Sequence, residues 1–350
     1  MGLMGRGHFT RSAHFRQFDA KAAPRQLPRS LGAGQSSADD MYVMFFVHGD
    51  GGYQNFMGKH RQKRHGVSMT FTLQLSGETL ITQPRLTPPA SDTHKYLRGH
   101  AVVMSGPELK TGASRLCARA ALAIGAGLVT ILGDRPALCE HAAHVTAIML
   151  KEKDAALSAI DDRVRAVAVG PGAGTDDSLR ISVLQLLALI KPVLLDADAL
   201  TVFAGDNTQL FSALSENDVM TPHLGEFARL FPDIATADPV AAAVEAARRS
   251  GAVILLKGPH SVIAAPTGRY AINRHSSPWL ATAGSGDILS GMICGLLAQG
   301  VPAFDAAAIA AWLHGDIGVR AGAGLTADRM TDYIPLVLQS CLQEGSAKGV

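Results

Sequence analysis

Aromatic residues make up only 5% of this chain, and its 350 residues include just four cysteines. So few aromatics argue against a surface built to stack nucleic-acid bases. The cysteines, Cys117, Cys139, Cys294 and Cys341, contain no Cys-x-x-Cys pair. That excludes a disulfide framework or a thioredoxin-type motif and suits a reducing cytosol. Cys117 and Cys294 fall in apolar helical patterns and read as small buried hydrophobes. No His/Cys/Asp cluster has zinc spacing, and no Gly-x-Ser-x-Gly elbow offers a hydrolase nucleophile. Long hydrophobic runs are also missing. "MYVMFFV" (41–47) is too short to cross a bilayer, and the opening "MGLMGRGHFTRSAHFRQF" lacks the apolar core of a secretory signal. The expectation is a protein of the bacterial cytosol with no membrane partner. The Arg-rich, acid-poor opening leaves organelle targeting as a minor alternative.

Net charge is +2, unevenly spread. Lys and Arg outnumber Asp and Glu over the first 90 residues, whereas the rest is mildly acidic, so a nucleic-acid role for the main body has no electrostatic support. Residues 1–90 read as an irregular, largely disordered segment rich in Pro, Gly and Ser. Within it, "VSMTFTLQLSGETLITQP" fits a pair of short strands around Ser76-Gly77, and the basic cluster at 59–65 reads as solvated surface. From about residue 91 to 345 the texture alternates between strand and helix. Apolar runs such as "AVAVG", "PVLLD" and "AVILL" imply strands buried on both faces. The fold class is therefore α/β, with a mainly parallel central sheet covered by helices on both sides. Thirty-six glycines agree with such a turn-rich enzyme. In open sheets of this kind ligands gather at the carboxyl ends of the strands, where Ser105-Gly106, Gly170 to Gly174, Asp196 to Asp198, Thr221-Pro222-His223 and Lys257-Gly258 fall.

The most informative stretch is "WLATAGSGDILSGMICGLLAQG" (279–300). Gly284, Ser285 and Gly286 make a turn whose N–H groups can hold an anion at the start of an apolar helix. Asp287 then stands at the positive end of that helix, which favours its ionised form. An ionised acid beside an anion hole suits phosphoryl transfer to a hydroxyl. A plain N-capping role for Asp287 is the other reading. "LLKGPHSVI" places Lys257 at a turn, either as surface charge or as a nucleotide contact. "VGPGAGTDD" lacks dinucleotide-loop spacing and reads as a turn approaching a ligand closely. Asp196 and Asp198 fall on one side of an extended strand, fit to hold Mg²⁺ through water or to cap the next helix. "TPHLGEF" aims His223 at the rim, with Glu226 in the first turn of the next helix.

In this order, "HKYLRGHAVVMSG", "TGASRLCARAALAIGAGLVTIL", "VGPGAG", "LLDADAL", "TPHLGEFARL", "LLKG" and "SSPWLATAGSGDILSG" resemble the ADP-dependent NAD(P)H-hydrate dehydratases of the ribokinase-like superfamily. The resemblance covers residues 91–345 and implies a three-layer sandwich. It also implies repair of NADHX and NADPHX, in which water has added to the nicotinamide ring. ADP, or ATP in some relatives, would phosphorylate the C6 hydroxyl in the presence of Mg²⁺, and loss of phosphate would return NADH or NADPH and leave AMP. By position, Asp287 matches the catalytic, substrate-contacting aspartate, and Ala113, Gly174 and His223 match the hydrate pocket. Lys257, Gly258, Pro259, His260, Ser261 and Gly286 match nucleotide contacts. Pro107 and Glu108 depart from the glycine and serine usual in that loop. A homo-oligomer, as a tetramer, is implied. Residues 1–90 do not resemble the epimerase domain that some members carry, so no epimerase activity is expected. A related kinase of a vitamin-precursor alcohol or sugar would share the loop and acid, but not the "TPHLGEF" and "HKYLRGHA" context.

Overall fold

The computed structural model describes residues 45–47, 54–56, 69–154 and 157–342. It divides into two units between Lys63 and Arg64. In the first, the described residues form an antiparallel pair, β1 (Phe45–Val47) with β2 (Gln54–Phe56). The basic cluster at 59–65 lies outside the described residues.

The second unit is built on one eleven-stranded sheet. Its spatial order is β3 (Thr70–Ser76), β4 (Leu80–Thr87), β13 (Tyr270–Asn273), β12 (Ser261–Ala264), β11 (Val253–Leu256), β10 (Val219–Met220), β9 (Val193–Leu195), β8 (Val164–Val169), β5 (His100–Met104), β6 (Leu128–Gly133) and β7 (Met149–Glu152). From β11 to β7 every neighbouring pair is parallel, so those strands all end on one rim. The edge beyond β11 is mixed.

Strand side chains alternate between two cores. Ala101, Val103, Ala166 and Ala168 pack with α1 (Gly112–Ala123), α8 (Ser285–Ala298), α9 (Ala303–Ala321) and α10 (Ala327–Ser340). Val102, Met104, Val167 and Val169 face the other way, onto α3 (Asp177–Leu187), α4 (Asp198–Thr201), α5 (Thr208–Ala213), α6 (Leu224–Leu230) and α7 (Pro239–Ser250). This period-two exchange is why the strands read as unbroken apolar runs. The expected three layers are present. A shorter helix, α2 (Arg135–Ala142), follows β6.

Helix α8 is buried nearly all round, and two glycines let it lie against α1. A methyl group at Gly291 would sit 2.1 Å from the Cys117 carbonyl oxygen, and one at Gly295 would sit 2.6 Å from that of Ala121. No larger residue permits that approach, which sets where the first turn of α8 meets the sheet rim.

Two sequence expectations need correction. A boundary at residue 91 cuts off β3 and β4, which belong to the main sheet. Phe71, Ile81 and Leu86 are buried in the core under α9, and Leu86 N–H donates to the Cys341 carbonyl at 2.7 Å. The hairpin's own apolar content is low because its partners come from the far end of the chain. The second correction concerns "LLDADAL". Strand β9 stops at Leu195, and Ala197 takes φ 49°, so Asp196 and Asp198 do not share one side of an extended strand.

Candidate active site

Gly284 opens α8 at φ 88°, in the left-handed region that glycine tolerates. A methyl group there would also meet Leu116 Cδ1 at 2.6 Å and Ala327 Cβ at 2.8 Å. The tight turn lets Ser285 N–H donate to the Thr282 carbonyl at 3.2 Å and Ile288 N–H to that of Gly284 at 3.1 Å. This leaves the N–H groups of Gly286 and Asp287 as first-turn donors without an intrahelical acceptor. Ser285 therefore adds no donor to an anion hole. Its N–H is engaged, and its hydroxyl turns inward to His314 Nε2 on α9, 3.0 Å away. That same nitrogen lies 3.0 Å from the Ser285 carbonyl. Burial first of all lowers the His314 pKa to about 4, so the ring is neutral and pins the turn.

Asp287 does not cap the helix. Among the described residues no hydrogen-bond donor engages its carboxylate, and the helix start carries no side-chain cap. Its pKa is raised to about 6, chiefly by burial, then by the negative charge of Asp196, with Lys257 pulling the other way and Asp198 adding to the rise. The sequence expectation is an ionised carboxyl able to accept a proton. Burial and Asp196 raise its affinity for that proton, and the outcome is a carboxylate at neutral pH that binds a proton well.

Beside it lies a buried ion pair. Lys257 Nζ is 2.8 Å from Asp196 Oδ1, and Ser290 Oγ, one helical turn beyond Asp287, donates to Asp196 Oδ2 at 2.7 Å. Burial disfavours both charges, yet their mutual attraction prevails: Lys257 sits above the ordinary lysine range and Asp196 below the usual carboxylate range. Glu226 Oε2 lies 3.8 Å from the ammonium. Asp196 thus serves Lys257 and Ser290 rather than a cation. Among the described residues no group of three His, Cys, Asp or Glu side chains could hold a metal ion. Asp196 and Asp198 do not come together with a third such ligand among the described residues.

The other expected residues fall around the same rim. His223 is the N-cap of α6: its Nδ1 accepts from the N–H groups of Gly225 and Glu226, while Glu226 Oε2 accepts from His223 N–H at 2.8 Å. It bridges to Lys257 in parallel register, so both stand at adjoining strand ends. Gly258, Pro259 and His260 form an exposed turn, tied by Ser276 Oγ to the Pro259 carbonyl at 2.9 Å, and Ser261 begins β12. A methyl group at Gly286 would come within 3.8 Å of Lys257 Nζ, which joins this turn to the head of α8. Gly174 N–H donates to Asp198 Oδ2 at 2.8 Å, and Ala113 packs near Gly172. The close approach of "VGPGAG" is to its own chain, since a methyl group at Gly170 would fall 1.7 Å from the Asp196 carbonyl. Sequence reading missed Ser290 and His314. Ser290 is a polar residue fully buried in an otherwise apolar stretch of α8, which was the available signal. His314 lies on α9 among both apolar and charged residues, with no such signal.

Comparison with known proteins identifies the family. A family model described as NAD(P)H-hydrate dehydratase matches residues 101–336. The bifunctional NAD(P)H-hydrate repair enzyme of Mycobacterium tuberculosis is 40% identical over 243 residues, covering 69% of this chain and 50% of the relative. The ADP-dependent (S)-NAD(P)H-hydrate dehydratase of Neisseria meningitidis is 37% identical over 257 residues, covering 70% of this chain and 85% of the relative. The ADP/ATP-dependent NAD(P)H-hydrate dehydratase of Bacillus subtilis, co-crystallised with ATP and Mg²⁺, superposes with a TM-score of 0.62 at 27% identity, over 72% of this chain and 93% of that one. The chain spans about half the length of the bifunctional repair enzymes it matches. The fold is ribokinase-like, and the chain belongs to the NAD(P)H-hydrate dehydratase family.

Proposed function

We propose that this protein is an ADP-dependent NAD(P)H-hydrate dehydratase that returns NADHX and NADPHX to NADH and NADPH. The observation that carries this reading is Asp287: a half-buried carboxylate with no hydrogen-bond donor among the described residues, a pKa of about 6, and open helix N–H groups beside it. Asp287 takes the proton of the C6 hydroxyl as that oxygen attacks the terminal phosphorus of ADP. The bond from that phosphorus to the bridging oxygen breaks and AMP leaves. The N–H groups of Gly286 and Asp287 meet the charge of the transferred group. Phosphate then leaves C6 with the electron pair of its C–O bond. The ring nitrogen supplies electrons, and loss of a proton at C5 restores the double bond. Hydroxide is a poor leaving group and phosphate a good one, which is the use of the nucleotide.

In this reading the exposed turn Lys257 to Ser261 takes the nucleotide, and Ala113, Gly174 and His223 line the hydrate pocket. Mg²⁺ enters as the counter-ion of the nucleotide phosphates. The named relatives support both ADP and ATP as donors, and we assign ADP to this chain. The test is incubation of the pure protein with NADHX and ADP. Return of the dihydronicotinamide absorbance, matched by AMP, is expected; recovery without nucleotide, or with ATP alone, would overturn the assignment.

A further inference from the structure

The Lys257 ammonium is the cation whose charge acts on Asp287, and a methyl group at the neighbouring Gly286 would come within 3.8 Å of its Nζ. Were it to swing across, it would pair with the carboxylate and leave no free base. It is held instead by Asp196. That side chain is 2% exposed and fixed on every side. Its carboxylate takes Lys257 Nζ on one oxygen and Ser290 Oγ on the other. Its N–H donates to the Val169 carbonyl at 3.1 Å, and its own carbonyl accepts from Ala199 N–H at 3.1 Å. A methyl group at Gly170 would collide with that carbonyl, so the loop after β8 fits closely over it.

From this geometry we propose that Asp196 is a positioning residue that holds the Lys257 ammonium off Asp287, leaving the base free for the substrate's proton. The inference rests on the reading of Asp287 as the base. The charged groups around the pair are few. Asp287 is faced by Asp196 from the end of β9, Asp198 from the start of α4 and Lys257 from the end of β11. Lys257 is faced in addition by Glu226 from α6, 3.8 Å away, and His314 from α9 is neutral.

The arrangement makes opposite predictions for two substitutions. Asp196→Asn removes a negative neighbour of Asp287 and releases Lys257 toward it, so the Asp287 pKa falls by about one to two units. Lys257→Met removes the attractive cation and leaves Asp196 charged, so it rises. The double variant lies between the two. The experiment is a carbon-13 NMR titration of the carboxyl groups, with the Asp287 signal identified by its loss in Asp287→Asn. Asp196→Asn is nearly isosteric, but its NH₂ group cannot accept as the second carboxylate oxygen does, so the bonds from Lys257 and Ser290 cannot both be kept. Where Lys257→Met fails to fold, Lys257→Gln takes its place. The proposal is supported if removing the Lys257 charge raises the Asp287 pKa by more in the Asp196→Asn background than in the wild type, which loss of the Asp196 charge alone would not do. An equal rise in both backgrounds overturns it. No shift in Asp196→Asn, or shifts of the same sign, overturn it. The titration needs no substrate. If it succeeds while the wild type fails to convert NADHX, the functional reading falls and only the restraint of Lys257 by Asp196 stands.

Discussion

At the scale of single residues, Asp287 gathers opposing demands. Burial penalises its charge, Asp196 repels it and Lys257 attracts it, and the balance is a pKa of about 6. A base must be ionised to accept a proton, so turnover should fall as pH drops through about 6 and level off above it. A pH profile of kcat checks this, and an acid limb near the ordinary carboxylate range would contradict it. Stability follows the same shift. The folded state holds the Asp287 proton more tightly than the unfolded chain, so this group's destabilising effect grows as pH rises from about 4 to about 6 and is constant above. Asp287→Asn removes it. That variant should gain about 3 kcal/mol at neutral pH and nothing at low pH, as read from denaturant midpoints. Of the candidate residues that the fold brings to one rim, those with a motif around them were legible in sequence: Asp287, Gly286, Lys257 and His223. Their working state was not, because the Asp287 pKa depends on Asp196, Asp198 and Lys257, which only folding brings near.

At the scale of elements, α8 decides the site. Its apolar sequence announces a buried helix, but only the structure explains Gly291 and Gly295, whose missing side chains admit the backbone of α1. Gly291→Ala should cost about 3 kcal/mol, because the new methyl would have to displace the Cys117 carbonyl. Gly286→Ala makes the informative contrast. Its methyl would meet only Lys257 Nζ, at an ordinary 3.8 Å. Thermal stability should hold, whereas ADP affinity should drop, as measured by calorimetry. If both variants lose stability alike, the packing argument is wrong. The helix starts were also readable, since Asp238 and Pro239 introduce α7 and glycine follows it. The boundary of β9 was not, because the left-handed turn at Ala197 leaves no mark in a run of Leu, Asp and Ala.

At the scale of the whole molecule, the parallel order of the central sheet was visible in its apolar strands, and so was the strand pair around Ser76-Gly77, whereas its attachment to the main sheet was not. Strands β3 and β4 carry few apolar residues and draw their stability from α9 and from the end of α10, far along the chain. Local pattern cannot report such pairing. Leu86 is 3% exposed and its N–H is tied to Cys341. Leu86→Ala should therefore destabilise the protein by about 2–4 kcal/mol, seen as an earlier denaturant midpoint with an unchanged slope. A loss within a few tenths of a kcal/mol would mean that the hairpin is an ornament on the fold.

The most direct measurement compares wild type and Asp287→Asn for NADHX conversion with ADP, alongside ADP affinity for each. If Asp287 is the base, turnover drops by about 10²-fold to 10⁴-fold while ADP affinity is nearly kept. Conversion by the variant at close to the wild-type rate would contradict the account.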